Sequence, residues 1–344
     1  MTAKNSSGKG GAAEEALRAY FRRTGCFVVR GIPLVYKCYD ITDVDLWLYV
    51  KTSFLFAERA CVDIKNKKTP QAMERILWTR GLKEILGIDR AFVVTTDNRP
   101  ETREFGMVHG VGVFQGDFFQ RVKNDFQPSC RLSEDEFLAL LKTPCIVNSD
   151  IEWRTWFRNM KARLLNGLNF NGCNSFLLGC KLVLDEYLAT DKNSEAPVRL
   201  LYALIAYLLI CLDYTARTFV ALDTPERLRV LSDGLRYGEI GRQKTEEVMQ
   251  MAFQFLMNIE QTTLFSKEIL RNEFDKQVTE YHTEVLAEHF VKAEALKSLF
   301  RNAYVFEEFA YAQILQRPHE LPNEQKAVLG LLCDFLRHDR KMII

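Results

Sequence analysis

Residues 12–125 alternate short apolar runs with polar stretches, in lengths typical of strands and helices. Apolar positions recurring every three or four residues predict helices over 12–24 and 71–86, with glycines at 25 and 87 ending them. Shorter helical segments are predicted over 101–109 and 117–122. The apolar runs that predict strands are 26–30, 32–36, 45–50, 59–65, 91–96 and 111–114. This order predicts a mixed, partly parallel sheet flanked by helices.

The rest of the chain shows helical periodicity and no convincing strand. Ser133 followed by Glu136 is a capping-box signature for a helix over 134–141. The apolar run 200–212 is shorter than the ~20 residues of a membrane span, so it predicts a buried core helix and no membrane partner. The other helical patterns are 153–168, 174–188, 197–222, 245–259, 272–315 with breaks, and 323–336. We therefore expect three segments, which are a disordered lead-in over 1–11, an α/β domain over 12–130 and an all-helical domain over 131–344.

Charge and cysteine usage restrict the function classes. Lys plus Arg is 46 against 45 for Asp plus Glu, so no global field favours a nucleic-acid partner. The nine cysteines lack paired C-x-x-C spacing and mostly lie in apolar runs, which predicts reduced thiols in a cytoplasmic protein. No signal peptide is expected, because residues 1–11 lack an apolar core. The chain also has no Gly-x-x-x-x-Gly-Lys loop, so no nucleotide cofactor is expected and an ATP-driven machine would need a partner subunit.

Candidate chemistry lies on two neighbouring predicted strands. Asp63 and Lys65 stand two apart, so their side chains project to the same face. Asp45 opens the preceding strand, and pairing of the two strands would bring Asp45 alongside Asp63. Two carboxylates are the hard oxygen ligands that Mg²⁺ prefers, and the ammonium of Lys65 could meet a water or a phosphate oxygen. Acid-x-Lys alone is a common pattern, occurring three times in this chain, so its place within the ordered elements supplies the specificity.

Basic residues outnumber acidic ones between residues 51 and 90, around the Asp63 strand. A basic rim suits a phosphodiester substrate, although a solvated face explains it equally well. The candidate phosphate contacts are Lys67, Lys68, Gln71 and Arg75.

Several short motifs occur in a fixed order along 12–125. They are a glycine-aromatic-valine strand at 25–28 with one inserted residue, Val-Asp-Leu at 44–46 preceded by Asp43 where glycine is usual, Val-x-Asp-x-Lys at 61–65 with Cys61 in the first position, Val-Val-Thr-Thr at 93–96, and His-Gly-Val-x-Val-x-x-Gly-Asp at 109–117. Together these segments resemble the catalytic domain of the PD-(D/E)xK, restriction-endonuclease-like superfamily, closest to its Mrr-type branch. Nothing in the family pattern covers residues 135–344.

The resemblance implies a restriction-endonuclease-like α/β fold and a metal-dependent nuclease acting on DNA. It implies Asp45, Asp63 and the Ile64 carbonyl as ligands of Mg²⁺ or Mn²⁺. Lys65 would then orient the attacking water. The family's helix acid would be Glu14 or Glu15, of which Glu15 is favoured because it directly precedes Ala16-Leu17.

Two alternatives stay open. One is a DNA-binding or assembly module that keeps the fold and has lost turnover, and the other is a nuclease for branched DNA or RNA, since the motif does not determine the substrate. A domain with one metal site cuts one strand, so double-strand cleavage calls for a homodimer. The helical half is expected to serve recognition or dimerisation.

Overall fold

A computed structural model of the chain describes residues 9–37, 39–65, 71–126, 131–142, 144–190, 194–258, 267–278 and 282–344. The chain divides into two compact units. Unit 1 comprises Met1–Asn166 and Tyr311–Ile314, and unit 2 comprises Gly167–Ala310 and Leu315–Ile344.

Unit 1 contains a five-stranded mixed sheet, which confirms the sheet predicted from the apolar runs. The strands lie in chain order, with β1–β2 and β2–β3 antiparallel and β3–β4 and β4–β5 parallel. The two strands predicted over 26–36 form one strand, because β1 keeps its pairing with β2 on both sides of Gly31, which adopts a φ of +61° open to glycine. The strands are β1 Phe27–Tyr36, β2 Tyr39–Lys51, β3 Ala57–Lys65, β4 Arg90–Thr95 and β5 Gly112–Phe114.

The sheet of unit 1 is flanked by helices. The helices are α1 Lys9–Arg23, α2 Ala72–Leu86, α3 Pro100–Val108, α4 Gly116–Asp125, α5 Glu134–Leu140 and α6 Trp153–Asn166. Helix α1 begins at Lys9, inside the segment predicted as a lead-in. Its apolar stripe of Ala13, Ala16 and Leu17 is buried in a core with sheet residues such as Val62, and this burial of apolar surface stabilises the helix.

Helix α2 connects β3 to β4, and this crossover lets the two strands run parallel. It buries Ile76, Leu82 and Leu86. As predicted, Gly87 ends the helix, in the left-handed conformation with a φ of +58°.

Helices α5 and α6 belong to unit 1, so the boundary expected at 130 lies instead at Asn166. The predicted capping box of α5 is present, with Ser133 and Glu136 exchanging hydrogen bonds. The buried Lys161 of α6 donates to Glu134 of α5 at 2.6 Å and to the Arg30 carbonyl of β1 at 2.9 Å. These buried polar contacts tie both helices to the sheet, and they join residues too distant in sequence for periodicity to indicate.

The described part of unit 2 is helical and contains no strand. Its helices are α7 Phe170–Ala189, α8 Ala196–Ala216, α9 Thr224–Tyr237, α10 Gly241–Asn258, α11 Lys267–Val278, α12 Thr283–Phe290, α13 Ala293–Tyr311 and α14 Asn323–Leu336. Helix α8, over the predicted core run, is long and apolar enough to cross a membrane by length and composition, and it is buried inside the protein. Helix α9 was not predicted, because only Leu231, Gly234 and Leu235 are buried on it. The described cysteines are free and buried; Cys38 and Cys130 lie outside the described residues.

Candidate functional site

The two candidate carboxylates face each other across β2 and β3. The antiparallel register pairs Leu46 with Val62, so the next positions, Asp45 and Asp63, lie opposite each other. Opposed residues of an antiparallel pair share one face. The Ile64 amide donates to Asp45 Oδ2 at 2.6 Å, and Lys65 Nζ lies 3.8 Å from Asp63 Oδ1. The structure therefore brings together Asp45, Asp63 and Lys65 as the sequence predicted.

The electrostatics of Asp45 reflect this crowding. Burial and, after it, the neighbouring Asp63 raise the pKa of Asp45 to about 7. The hydrogen bond from the Ile64 amide and the charge of Lys65 oppose this rise, while Glu14 adds to it. The site therefore holds one carboxyl group that exchanges a proton near neutral pH, where a cation could take the proton's place.

A guanidinium from α2 holds the second carboxylate. Arg75 Nε donates to Asp63 Oδ2 at 2.9 Å, and its Nη2 donates to Asp63 Oδ1. The guanidinium carbon also lies 4.2 Å from the centre of the Trp78 ring. Arg75, which the sequence offered as a phosphate contact, thus forms a bidentate pair with a buried carboxylate.

The other candidate phosphate contacts have different outcomes. Gln71 is exposed at the N-cap of α2 and makes no capping hydrogen bond with its side chain. Lys67 and Lys68 lie outside the described residues.

Of the two candidate helix acids, Glu14, and not the favoured Glu15, is the one whose charge adds to the raised pKa of Asp45. Glu15 accepts hydrogen bonds from Arg30 at 3.0 Å and from the amide of Glu134 at 2.9 Å, so it faces α5. Glu14 accepts from Arg30 Nε at 2.6 Å and contributes to the raised pKa of Asp45. Neighbouring helix positions point about 100° apart, so the two acids reach Arg30 from different sides and only Glu15 also meets α5.

Arg30 holds both candidate helix acids, and the sequence reasoning missed it. It is buried on β1, opposite Leu46, and bridges Glu14 and Glu15. Burial opposes its charge, yet the two glutamates outweigh this and raise the pKa of Arg30. The signal was an arginine at the end of the apolar run Cys26-Phe-Val-Val.

The chemistry of the donor set suits a hard divalent cation. Two opposed carboxylates are available, and the N–H and carbonyl of one strand residue point to the same side, so the Ile64 carbonyl is directed toward β2 with its amide. Among the described residues, no group of three or more His, Cys, Asp or Glu side chains is arranged to hold a metal. A divalent cation would therefore be held by the two aspartates and one backbone oxygen. Asp63 would have to exchange its contact with Arg75 for one with the cation.

Comparison of the chain with known protein families, with curated proteins and with solved structures gives no match. The resemblance to the restriction-endonuclease-like superfamily stays a prediction from motifs.

Proposed function

We propose that this chain is a metal-dependent nuclease of restriction-endonuclease-like fold that hydrolyses DNA phosphodiester bonds. The observation that carries the proposal is the opposed pair of Asp45 and Asp63, with Lys65 beside it and the pKa of Asp45 raised to about 7. A helix, three antiparallel strands, a helix and a parallel strand agree with the order of elements in the resemblance. The homodimer and the role of the helical half in recognition belong to the same proposal.

In this proposal, Asp45, Asp63 and the Ile64 carbonyl hold Mg²⁺ or Mn²⁺. The bound cation would lower the pKa of a water and offset charge on the phosphoryl group. Lys65, 3.8 Å from Asp63, donates to that water or to a phosphate oxygen. Arg75 releases Asp63 and, still close to Trp78, is available to a phosphate as a bidentate donor.

The experiment is a cleavage assay on plasmid, linear and branched DNA and on RNA, in Mg²⁺ or Mn²⁺. Asp63→Ala and Lys65→Ala should each abolish cleavage, with losses of at least about 100-fold. Glu58→Gln is the matched control, because Glu58 lies at the other end of β3 and pairs with Arg90 on the surface. Cleavage that survives Asp63→Ala would remove the site assignment, and cleavage of RNA or branched DNA alone would change the substrate class.

The second candidate is a nucleic-acid-binding or assembly module of the same fold without turnover. The bidentate contact of Arg75 with Asp63 favours it, because a guanidinium that stays in place blocks both carboxylate oxygens. Calorimetric titration with Mn²⁺ separates the two candidates. Binding that Asp45→Asn abolishes supports the nuclease, whereas no binding at millimolar metal supports the module.

A further inference from the structure

A two-stranded arm extends from the candidate site. Strand β2 pairs with β3 only from Leu46 onward, while its earlier residues pair with β1 as far as Tyr39, opposite Tyr36. The arm therefore consists of residues 33–36 of β1, the turn residue Lys37 and residues 39–43 of β2. The base of the arm lies two residues before Asp45, so one strand, β2, carries both the arm and this carboxylate.

The end of the arm exposes aromatic rings. Tyr36 and Tyr39 are 63% and 66% exposed, which is far more than a core or packing role requires. They are directly opposed partners, so their side chains lie on one face of the arm, with Cβ atoms ~5 Å apart. Lys37 is exposed in the turn, and its ammonium lies 5.5 Å from the centre of the Tyr36 ring.

The arm is braced near its base. Arg158 of α6 donates to Asp43 at 2.9 Å and lies 3.8 Å from Asp40. These contacts join the arm to a helix of the same unit and pair its carboxylates with a guanidinium. The contacts with Arg158 therefore hold the arm, and with it the two tyrosine rings, in place. Among the described residues of the arm, Lys37 is the cation at its end that a phosphate can contact.

We infer that the arm binds unpaired bases of a single-stranded nucleic acid by stacking on Tyr36 and Tyr39. Rings stack on base faces regardless of sequence, whereas the carboxylates of Asp40 and Asp43 disfavour tracking of a phosphate backbone along the arm. The inference rests on the proposed nuclease function, and it names the substrate class as a strand with unpaired bases beside the cut.

The geometry sets the distance from the cut. Tyr39 lies six positions before Asp45 on β2, and a bulge takes one of these residues out of the pairing with β1. The remaining five positions, at ~3.3 Å per residue, give a span of ~17 Å. A stacked strand advances ~3.4 Å per nucleotide, so the rings contact bases on the order of five nucleotides from the scissile phosphate.

The test is an anisotropy titration of the full chain in EDTA, so that binding is measured without turnover. One probe is a labelled oligothymidylate and the other is an abasic strand of equal length. Tyr36→Ala and Tyr39→Ala should each weaken oligothymidylate binding about tenfold, and should leave binding to the abasic strand unchanged. Phe56→Ala is the matched control, because Phe56 is 68% exposed in the turn after the opposite end of β2. Unchanged thermal unfolding of each variant verifies its fold.

Arg158→Ala provides a second measurement. It should weaken oligothymidylate binding by a smaller factor, about two- to fivefold, since it frees the arm without removing a ring.

Three results would overturn the inference. The first is equal affinity of the unmodified protein and a variant that combines Tyr36→Ala with Tyr39→Ala for oligothymidylate. The second is an equal loss of affinity for both probes, and the third is no binding of either probe by the unmodified protein. A change in light-scattering mass without a change in DNA affinity would instead identify the arm as a contact between two copies. Absence of cleavage would contradict only the proposed function, because the binding titration in EDTA does not depend on turnover.

Discussion

At the scale of single residues, the site brings like charges together. Asp45 and Asp63 are opposed, Glu14 contributes to the same field, and arginines from β1 and α2 hold two of the three acids. Such an arrangement opposes the folded state whenever all the acids are ionised, and groups perturbed in this way cluster at functional sites.

Asp45→Asn should stabilise the protein at neutral and higher pH in EDTA. The folded-state pKa of Asp45 is about 7 and its ordinary value is 3.8, so the folded state binds the proton more tightly. The contribution of Asp45 to the free energy of unfolding therefore falls as the pH rises from about 4 to 7, and it is constant above pH 7. Asn keeps an oxygen for the Ile64 amide and has no charge, so the variant should gain up to about 4 kcal/mol over the unmodified protein by pH 8.

Urea unfolding of both proteins at pH 5 and pH 8 measures this difference. A gain that does not grow between the two pH values would contradict the raised pKa. Added Mg²⁺ should reverse the order by stabilising only the unmodified protein.

At the scale of elements, the strands and the opposed aspartates were predictable because both depend on local alternation and on pairing of consecutive strands. The contact of Arg75 with Asp63 was not, since the rotation of α2 against the sheet depends on tertiary packing. The choice of Glu14 over Glu15 depends on the rotation of α1 for the same reason. Helix α9 buries only Leu231, Gly234 and Leu235, so no continuous apolar run marks it in the sequence.

Lys161→Met should destabilise unit 1 by about 3–5 kcal/mol, because it leaves the buried Glu134 without its 2.6 Å partner. Urea unfolding measures the loss. Arg154→Met, on the exposed face of the same helix, is the control and should change stability by less than about 0.5 kcal/mol. Equal losses in the two variants would show that α6 is merely sensitive to substitution.

At the scale of the whole molecule, the chain leaves unit 1 at Asn166 and returns to it at Tyr311. The returning residues complete the unit: the Tyr311 hydroxyl donates to Glu134 at 2.7 Å, its ring stacks on Phe137, and Leu132 donates to its carbonyl at 2.6 Å. The guanidinium carbon of Arg18 lies 4.2 Å from the centre of the same ring. Contacts over such sequence distances lie outside the reach of pattern reasoning.

A fragment of residues 1–166 should fold cooperatively, whereas a fragment of 1–130 should not. The shorter fragment lacks α6, whose buried Trp153 and Phe157 cover apolar surface, and it lacks Lys161, which meets β1. Circular dichroism melts compare the two fragments. A cooperative melt of 1–130 at the temperature of 1–166 would show that α5 and α6 are dispensable. In the full chain, Tyr311→Ala should lower the melting temperature of unit 1 toward that of the 1–166 fragment, because both then lack the Tyr311 side chain.

The interrupted path of unit 1 also affects its synthesis on the ribosome. At about 5–20 residues per second, residues 167–310 take roughly 7–30 s to emerge after α6 is complete. Throughout that interval the carboxylate of Glu134 can pair with Lys161, whereas Tyr311, whose hydroxyl also donates to it, is not yet available. The nascent chain therefore carries the strands of the candidate site well before the last hydrogen bond that closes their domain.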